Sequence, residues 1–419
     1  DLKWSDDNAA RVRVRAFLEQ LCMQVAAEAA AAGADDITWA YSFPTAFSGD
    51  RQGFPEIWAQ ATAACAVATG LPQPAAGPES KTESVASALF FREHLKASPA
   101  AGTVCIDIGG STSDIAIWQQ NELRWQTSVR FAGREMFLNY LYSKPELLET
   151  FGLDVSGLRQ AVGNWPAFYA QADALLLENS KELFERLPNH VASDDVRSLV
   201  NYLSLGLAGL FYYVGSLLNY LVAQQKYTRE MPDIYVGGNG SRMFNWLAVG
   251  RYDSGKPINA LLKSVMLRAS GFSASEDFRV HISPFPKAEA AYGLVTGKDL
   301  SYSAEALNKV VAGEKFAEGG GEKGWDELLS AARLTAGVGV PQTLERLNHF
   351  LEAYNDYANT QGAVVSPFNV DTISMRDVRN RLETSLSDLK GGDPKTSQVE
   401  PIFIVALKHL LEVRRSLTT

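Results

Sequence analysis

An α/β protein is the expectation, and three features of the sequence carry it. Stretches rich in Ile, Val and aromatic residues alternate with helical segments from residue 37 to residue 295. Two of those stretches run straight into glycine loops, at 107–114 and at 237–242. A pattern of strand, helix, short strand and alanine-rich helix at 37–91 returns at 234–295. In the second copy the Asp107 hairpin precedes that pattern, and in the first only the N-terminal helix does.

Composition bounds the reading. The 419 residues suit two to three domains at roughly 100–200 residues each. With 46% hydrophobic and 21% charged residues the chain is globular rather than disordered or fibrous. Lys and Arg number 39 against 48 acids, a formal charge of −9, so nucleic acid is a poor default partner. Cys22, Cys65 and Cys105 are widely spaced, form no CxxC and suit a reducing, cytoplasmic compartment. Five scattered histidines without an HExxH offer no transition-metal motif. The start shows neither a basic nor an apolar leader segment.

In order along the chain, residues 5–34 form a helix whose alanine-rich end is closed by Gly33. Residues 37–43 read as a strand stopped by Pro44, 52–70 as a helix, and 71–80, with Pro72, Pro74, Gly77 and Pro78, as a connection. A helix follows over 82–95 with Glu83 in its first turn. Strands at 103–106 and 115–118 flank the first glycine loop. A third near 124–131 passes through Gly133 into a helix at 135–141. Residues 145–225 are mostly helical, 233–236 a strand, 278–283 another, and 287–295 a helix. After residue 297 the rest is amphipathic helix, with Gly319, Gly320 and Gly321 between Glu318 and Glu322 read as a linker. The resulting division is 1–100, 101–297 with a helical insertion near 145–225, and a helical extension over 298–419.

No charged residue lies between Arg197 and Lys226, and 203–223 has the length of a membrane span. Asn201, Ser204, Ser216, Asn219 and several tyrosines dilute it, so a buried core helix is expected.

Chemistry concentrates at the two loops. Gly109 and Gly110 let the backbone turn tightly and let an anion approach the amides, while Ser111, Thr112 and Ser113 supply hydroxyl donors. Asp107, ending a buried strand, is placed to hold a hydrated divalent cation such as Mg²⁺. This is not a Walker loop, since no GK[ST] is present and a strand follows. The second loop, Gly237, Gly238, Asn239, Gly240, Ser241 and Arg242, lies between a strand and a helix, where amides can pack on a nucleotide and Arg242 can stack on a base. By pattern alone Glu83 is a helix-dipole partner, and Glu178 with Lys181 a solvated i,i+3 pair.

Taken together these residues resemble the actin-like ATPase superfamily, which includes actin, heat-shock chaperone ATPase domains and sugar kinases. The run IDIGGSTSDIAIW, 106–118, is similar to that superfamily's second phosphate hairpin, and 235–242 to its adenosine loop. Residues 37–43 resemble the chaperones' ITVPAYF strand, 82–88 their NEPTAAA segment, 131–135 their GGED turn, and Glu178 with Lys181 their ExxK pair. The resemblance spans 10–297 and implies two ribonuclease-H-like lobes, the first incomplete, with the appended helices following.

It further implies ATP and Mg²⁺ as cofactors, Asp107 organising the metal, residues 109–113 cradling phosphates, and Glu83 orienting the attacking water. Gly237, Gly238, Asn239, Ser241 and Arg242, with Glu178 and Lys181, would contact adenosine. If both loops meet one nucleotide, the apolar segment between them cannot cross a bilayer. Three departures stand out: the family's first phosphate hairpin, the chaperones' catalytic lysine and their β-rich peptide-binding domain are not seen. The chain thus reads as a fragment of a longer protein or as one whose site has lost half. Weak or absent hydrolysis is expected from it alone, in an ATPase of a longer parent. The rivals are a catalytically dead nucleotide-sensing scaffold whose helices bind a protein partner, and a small-molecule kinase of the same superfamily.

Overall fold

The computed structural model describes residues 8–43, 53–273, 278–296, 301–302, 315–318, 321–324, 339–340, 344–360, 365–389 and 400–418. It is a mixed α/β structure. β1 (Ala40–Phe43) and β2 (Glu79–Thr82) pair in parallel as a small sheet of their own. The main sheet holds β3 (Thr103–Ile108), β4 (Ser113–Gln119), β5 (Glu122–Val129), β6 (Asp233–Gly237), β7 (Val280–Ile282) and β8 (Ser301–Tyr302). Their spatial order is β7-β6-β3-β4-β5-β8. β3, β4 and β5 run as an antiparallel meander to one side, while β6 and then β7 add in parallel on the other. Strand order therefore reverses between β3 and β6, where Asp107 and Gly237 are register partners.

Helices cover both faces of this sheet. Those labelled here are α1 (Asn8–Ala31), α2 (Phe54–Thr69), α3 (Glu83–His94), α4 (Asn139–Ser143), α5 (Ser156–Ala161), α6 (Trp165–Glu178), α7 (Ser180–Arg186) and α8 (Asp194–Ala223). After β6 come α9 (Met243–Leu247), α10 (Ile258–Ser270), α11 (Glu289–Leu294), α12 (Glu345–Thr360), α13 (Thr372–Leu389) and α14 (Ile402–Thr418). Val104, Ile106 and Ile108 of β3 face the large core that holds α8 and α10. Cys105, with Trp118 and Tyr235, faces the other way, onto Val85, Leu89 and Phe91 of α3. Two covered faces explain why the strands read as nearly unbroken apolar runs. The period of two then puts Asp107 on the Cys105 face, the face α3 packs against.

The N-terminal elements follow the sequence closely. Thr82 caps α3, its hydroxyl accepting from the Val85 amide at 3.3 Å, and Gly70 closes α2 in the left-handed region. The polar segment 79–82, expected at most as a short strand, supplies β2. The helix expected at 135–141 starts instead as a π-turn over Arg134–Leu138 before α4.

α8 is long and apolar enough to cross a membrane by length and composition. Its packing is that of a core helix, with 78% of its most apolar window buried inside the chain. Two glycines permit the contacts. Gly209 faces Leu407 of α14, and Gly215 lies so close to the Met266 carbonyl and Ala269 of α10 that a methyl group would collide with both.

The region after residue 297 departs from expectation in two ways. The helices α12, α13 and α14 are not peripheral: Phe350, Tyr354, Val378, Leu407 and Leu411 belong to the same buried cluster as Leu210 and Leu262. The stretch expected to be all helix also contains β9 (Lys315–Glu318) and β10 (Gly321–Gly324), paired antiparallel, where the glycines were read as a linker. Residues 319 and 320 of that run lie outside the described residues.

Because backbone and a methyl on α10 face Gly215, the Gly215→Ala variant cannot relieve the overlap by a rotamer change. Net destabilisation of roughly 1–3 kcal/mol is expected, overlap outweighing the ~1 kcal/mol gained in helix propensity. Urea unfolding at unchanged m-value would show it, and a stabilised variant would refute the close approach.

Candidate functional site

The first glycine loop is a tight connection between β3 and β4. Gly109 N–H donates to the Thr112 carbonyl at 2.9 Å, closing the turn. The amides of Gly110, Ser111 and Thr112 make no hydrogen bond among the described residues, and Gly110 and Ser111 are exposed. Three neighbouring donors left open on an exposed turn are of the kind that anions accept from. The turn is held from below: Gly133 N–H donates to the Gly109 carbonyl at 3.1 Å and Arg134 N–H to the Gly110 carbonyl at 2.8 Å. Ser113, expected to offer a hydroxyl to phosphate, is buried and donates it to the Phe131 carbonyl at 2.6 Å, so it acts structurally. Ser111 is exposed on the turn and Thr112 half-buried beside it.

The second loop abuts the first. Gly238 adopts φ +73°, and its Cα faces Asp107 and the Ile108 carbonyl so closely that a Cβ would collide with both. Gly240 packs on Ile108 in the same way. These glycines are thus demanded by the contact between loops. Asn239 is exposed, Ser241 is fully buried, and Arg242 is half-buried. Neither Ser241 Oγ nor Arg242 Nε has a hydrogen-bond partner among the described residues.

Two helices bring acids to the same place. α3 and α11 cross where Gly293 meets Ala86, so tightly that a Cβ at Gly293 would be driven into the Ala86 carbonyl. Each helix begins with a glutamate, Glu83 in α3 and Glu289 in α11. The start of α3 is pinned to β5, because the Thr82 and Ser84 hydroxyls both donate to Gln126 Oε1, at 3.0 and 2.8 Å. Glu289 is fully buried and its Oε1 accepts from the Gly238 amide at 3.1 Å, while its Oε2 has no partner among the described residues. Ser87 Oγ lies 3.5 Å from Asp107 Oδ2. Burial first, then the charges of Glu289 and Glu83, push the Asp107 carboxyl up to about 7. Lys287 and the Ser87 hydroxyl pull the other way.

Glu83 and Asp107 therefore come together with the loop residues, as the sequence predicts. Glu178 and Lys181 do not form a helical pair: α6 ends at Glu178, Asn179 breaks the helix, and both residues are exposed on either side of that break. Glu289, Ser87 and Arg134 were missed by sequence reasoning. The echo between 82–88 and 287–293 was the available signal for Glu289.

No family model matches this chain and no curated protein does. Among solved structures it is similar to the ethanolamine utilization protein EutJ from Carboxydothermus hydrogenoformans, at 12% identity and TM-score 0.34, over 67% of this chain and 73% of that one. It is also similar to a ROK family glucokinase from Streptomyces griseus in complex with glucose and AMPPNP, at 12% identity and TM-score 0.33, over 55% of this chain and 70% of that one. Values this low leave the chemistry to be read from the site itself.

As a donor set for a cation the site is sparse. No group of three or more His, Cys, Asp or Glu able to hold a metal occurs among the described residues.

The raised Asp107 value has a signed consequence. A carboxyl that binds its proton more tightly when folded favours the folded state at low pH. It loses that contribution as pH climbs from the ordinary 3.8 to about 7. Asp107→Asn removes the titration, so in metal-free buffer this variant should melt above the unsubstituted protein at pH 8. The gap should shrink steadily as pH falls from 7 towards 4. A gap independent of pH would show that Asp107 is not the perturbed group.

Proposed function

We propose that this chain is an ATP-binding protein whose site spans the carboxyl ends of β3 and β6, with hydrolysis weak or absent in the chain alone. The observation that carries the reading is topological. In open sheets containing parallel strands, ligands bind outside the carboxyl ends of the strands where strand order reverses. Here that point holds two glycine loops in mutual contact, with open amides on one and an unpartnered arginine Nε on the other. The meander of β3 to β5 continued in parallel by β6 and β7 supports a lobe of ribonuclease-H type, with β1, β2, α1 and α2 as part of the second lobe of such a pair.

In this reading the amides of Gly110, Ser111 and Thr112 hold phosphate oxygens, and Arg242 lies against the base. Asp107 holds Mg²⁺ through water or directly. When bound, the ion neutralises phosphate charge that Asp107, Glu83 and Glu289 would otherwise repel. Glu83, at the start of α3, is placed to orient a water. One phosphate-binding hairpin among the described residues leaves the attacking water and the leaving phosphate loosely positioned, so binding outlasts turnover. The burial of α8 supports a chain without a span at that segment.

Calorimetric titration tests this directly. Mg-ATP should bind near micromolar, about −8 kcal/mol. Asp107→Ala should weaken binding at least tenfold, and Arg242→Ala should do so comparably for ATP but little for inorganic triphosphate. Chelating the metal should abolish binding, because three carboxylates then face the phosphates uncompensated. Tight metal-free binding would contradict the role given to Asp107, and fast turnover abolished in Glu83→Gln would contradict the weak-hydrolysis expectation.

A further inference from the structure

Arg134 occupies a position that neither the glycine loops nor the acid cluster explains. It opens the π-turn immediately after β5, and its backbone amide is already bonded to the Gly110 carbonyl at 2.8 Å. Its side chain folds back over the same loop: a methyl group built on Gly110 would find only Arg134 Nε nearby, at 3.9 Å. That nitrogen is buried and has no hydrogen-bond partner among the described residues. No carboxylate among them forms an ion pair with the guanidinium. It is steadied by the Tyr169 ring of α6, 4.8 Å away, and Tyr169 is itself fixed by donating its hydroxyl to Asn139 Oδ1 at 2.8 Å.

A guanidinium held by a ring, its charge felt by Asp173 of α6 but closed into no ion pair among the described residues, is unusual in so acidic a site. Stacking on Tyr169 leaves the in-plane N–H groups available, and those are the groups that grip phosphate oxygens in fork geometry. Lys287, exposed and two residues ahead of Glu289, supplies a second cation close enough for its charge, like that of Arg134, to act on Asp173 of α6. Lys287 also acts on Asp107. The two cations thus act on the same carboxylate of α6, and the charge of Lys287 reaches Asp107 at the end of β3 as well.

We propose that Arg134, assisted by Lys287, forms a subsite for the terminal phosphate of a polyphosphate chain and so makes the site prefer nucleoside triphosphate to diphosphate. This rests on the nucleotide reading above and assigns a residue for its phosphate-length specificity. The open amides of Gly110, Ser111 and Thr112 take the inner phosphates and the guanidinium over Gly110 takes the outer one. Binding of the outer phosphate then satisfies Arg134 Nε, which the chain itself leaves bare.

The test compares Mg-ATP, Mg-ADP and Mg-tripolyphosphate by calorimetry on the full chain and on Arg134→Gln, Arg134→Lys and Lys287→Gln, each checked by thermal melting. The unsubstituted chain should favour Mg-ATP over Mg-ADP by about tenfold or more, the scale of a charge-assisted contact. Arg134→Gln should bring that ratio close to one while leaving Mg-ADP affinity within about twofold, Lys287→Gln should lower it partway, and Arg134→Lys should keep part of it. An ATP-to-ADP ratio unchanged in Arg134→Gln would overturn the subsite and leave the nucleotide reading standing. If neither nucleotide binds the unsubstituted chain, the nucleotide reading fails, and tripolyphosphate decides the subsite. Binding lost in Arg134→Gln would sustain an anion site of this chemistry, and absence of binding would overturn it.

Discussion

The close crossing of α3 and α11 at Ala86 and Gly293 is the constraint on which the candidate site depends. With no side chain at residue 293, one helix backbone rests on the other. That contact fixes where both helices begin, and both begin with glutamates that act electrostatically on Asp107. Glu289 passes the constraint on to the second loop through its bond to the Gly238 amide. Gly238 and Gly240 pass it back to β3 through Ile108. Strand, loop and helix starts are thereby locked into one unit, and a side chain at residue 238, 240 or 293 would pry it open.

The unit is electrostatically unbalanced as it stands. Asp107, Glu83 and Glu289 share a small region, and Glu289 is buried with one oxygen unpartnered among the described residues. Burial first and then these like charges raise the Asp107 carboxyl and cost folding free energy at neutral pH. Around the same loops lie Arg134 and Arg242, each with a bare Nε. Acids, arginines short of hydrogen-bond partners and open amides are thus gathered at the two glycine loops. Active and binding sites are where such local imbalance is kept.

How much of this was legible depends on how local each signal is. The hairpin was readable because β3, Gly109, Gly110 and β4 are contiguous. Thr82 and Glu83 marked the start of α3 because capping is a matter of three residues. β2 was only half visible: its four polar residues, Glu79 to Thr82, carry no apolar alternation and become a strand only by pairing with β1. Glu289 was signalled only by the echo between 82–88 and 287–293, since its partner amide is 51 residues away in sequence. Glu178 and Lys181 had the right spacing for a shared face, and the break at Asn179 removed it. The C-terminal helices showed apolar stripes without saying what they cover. They reach into the site's own support, where Arg415 donates to the Asn139 carbonyl at 3.1 Å beneath the Arg134 turn.

A site shared by both glycine loops, held by one helix crossing, has a direct test in amide hydrogen exchange with and without Mg-ATP. Slowing is expected together at 110–112 and at 239–242, with the first turns of α3 and α11 following, since all of them meet at Asp107. Exchange slowed at only one loop, or at a surface remote from β3 and β6, would contradict a single site at the reversal of strand order.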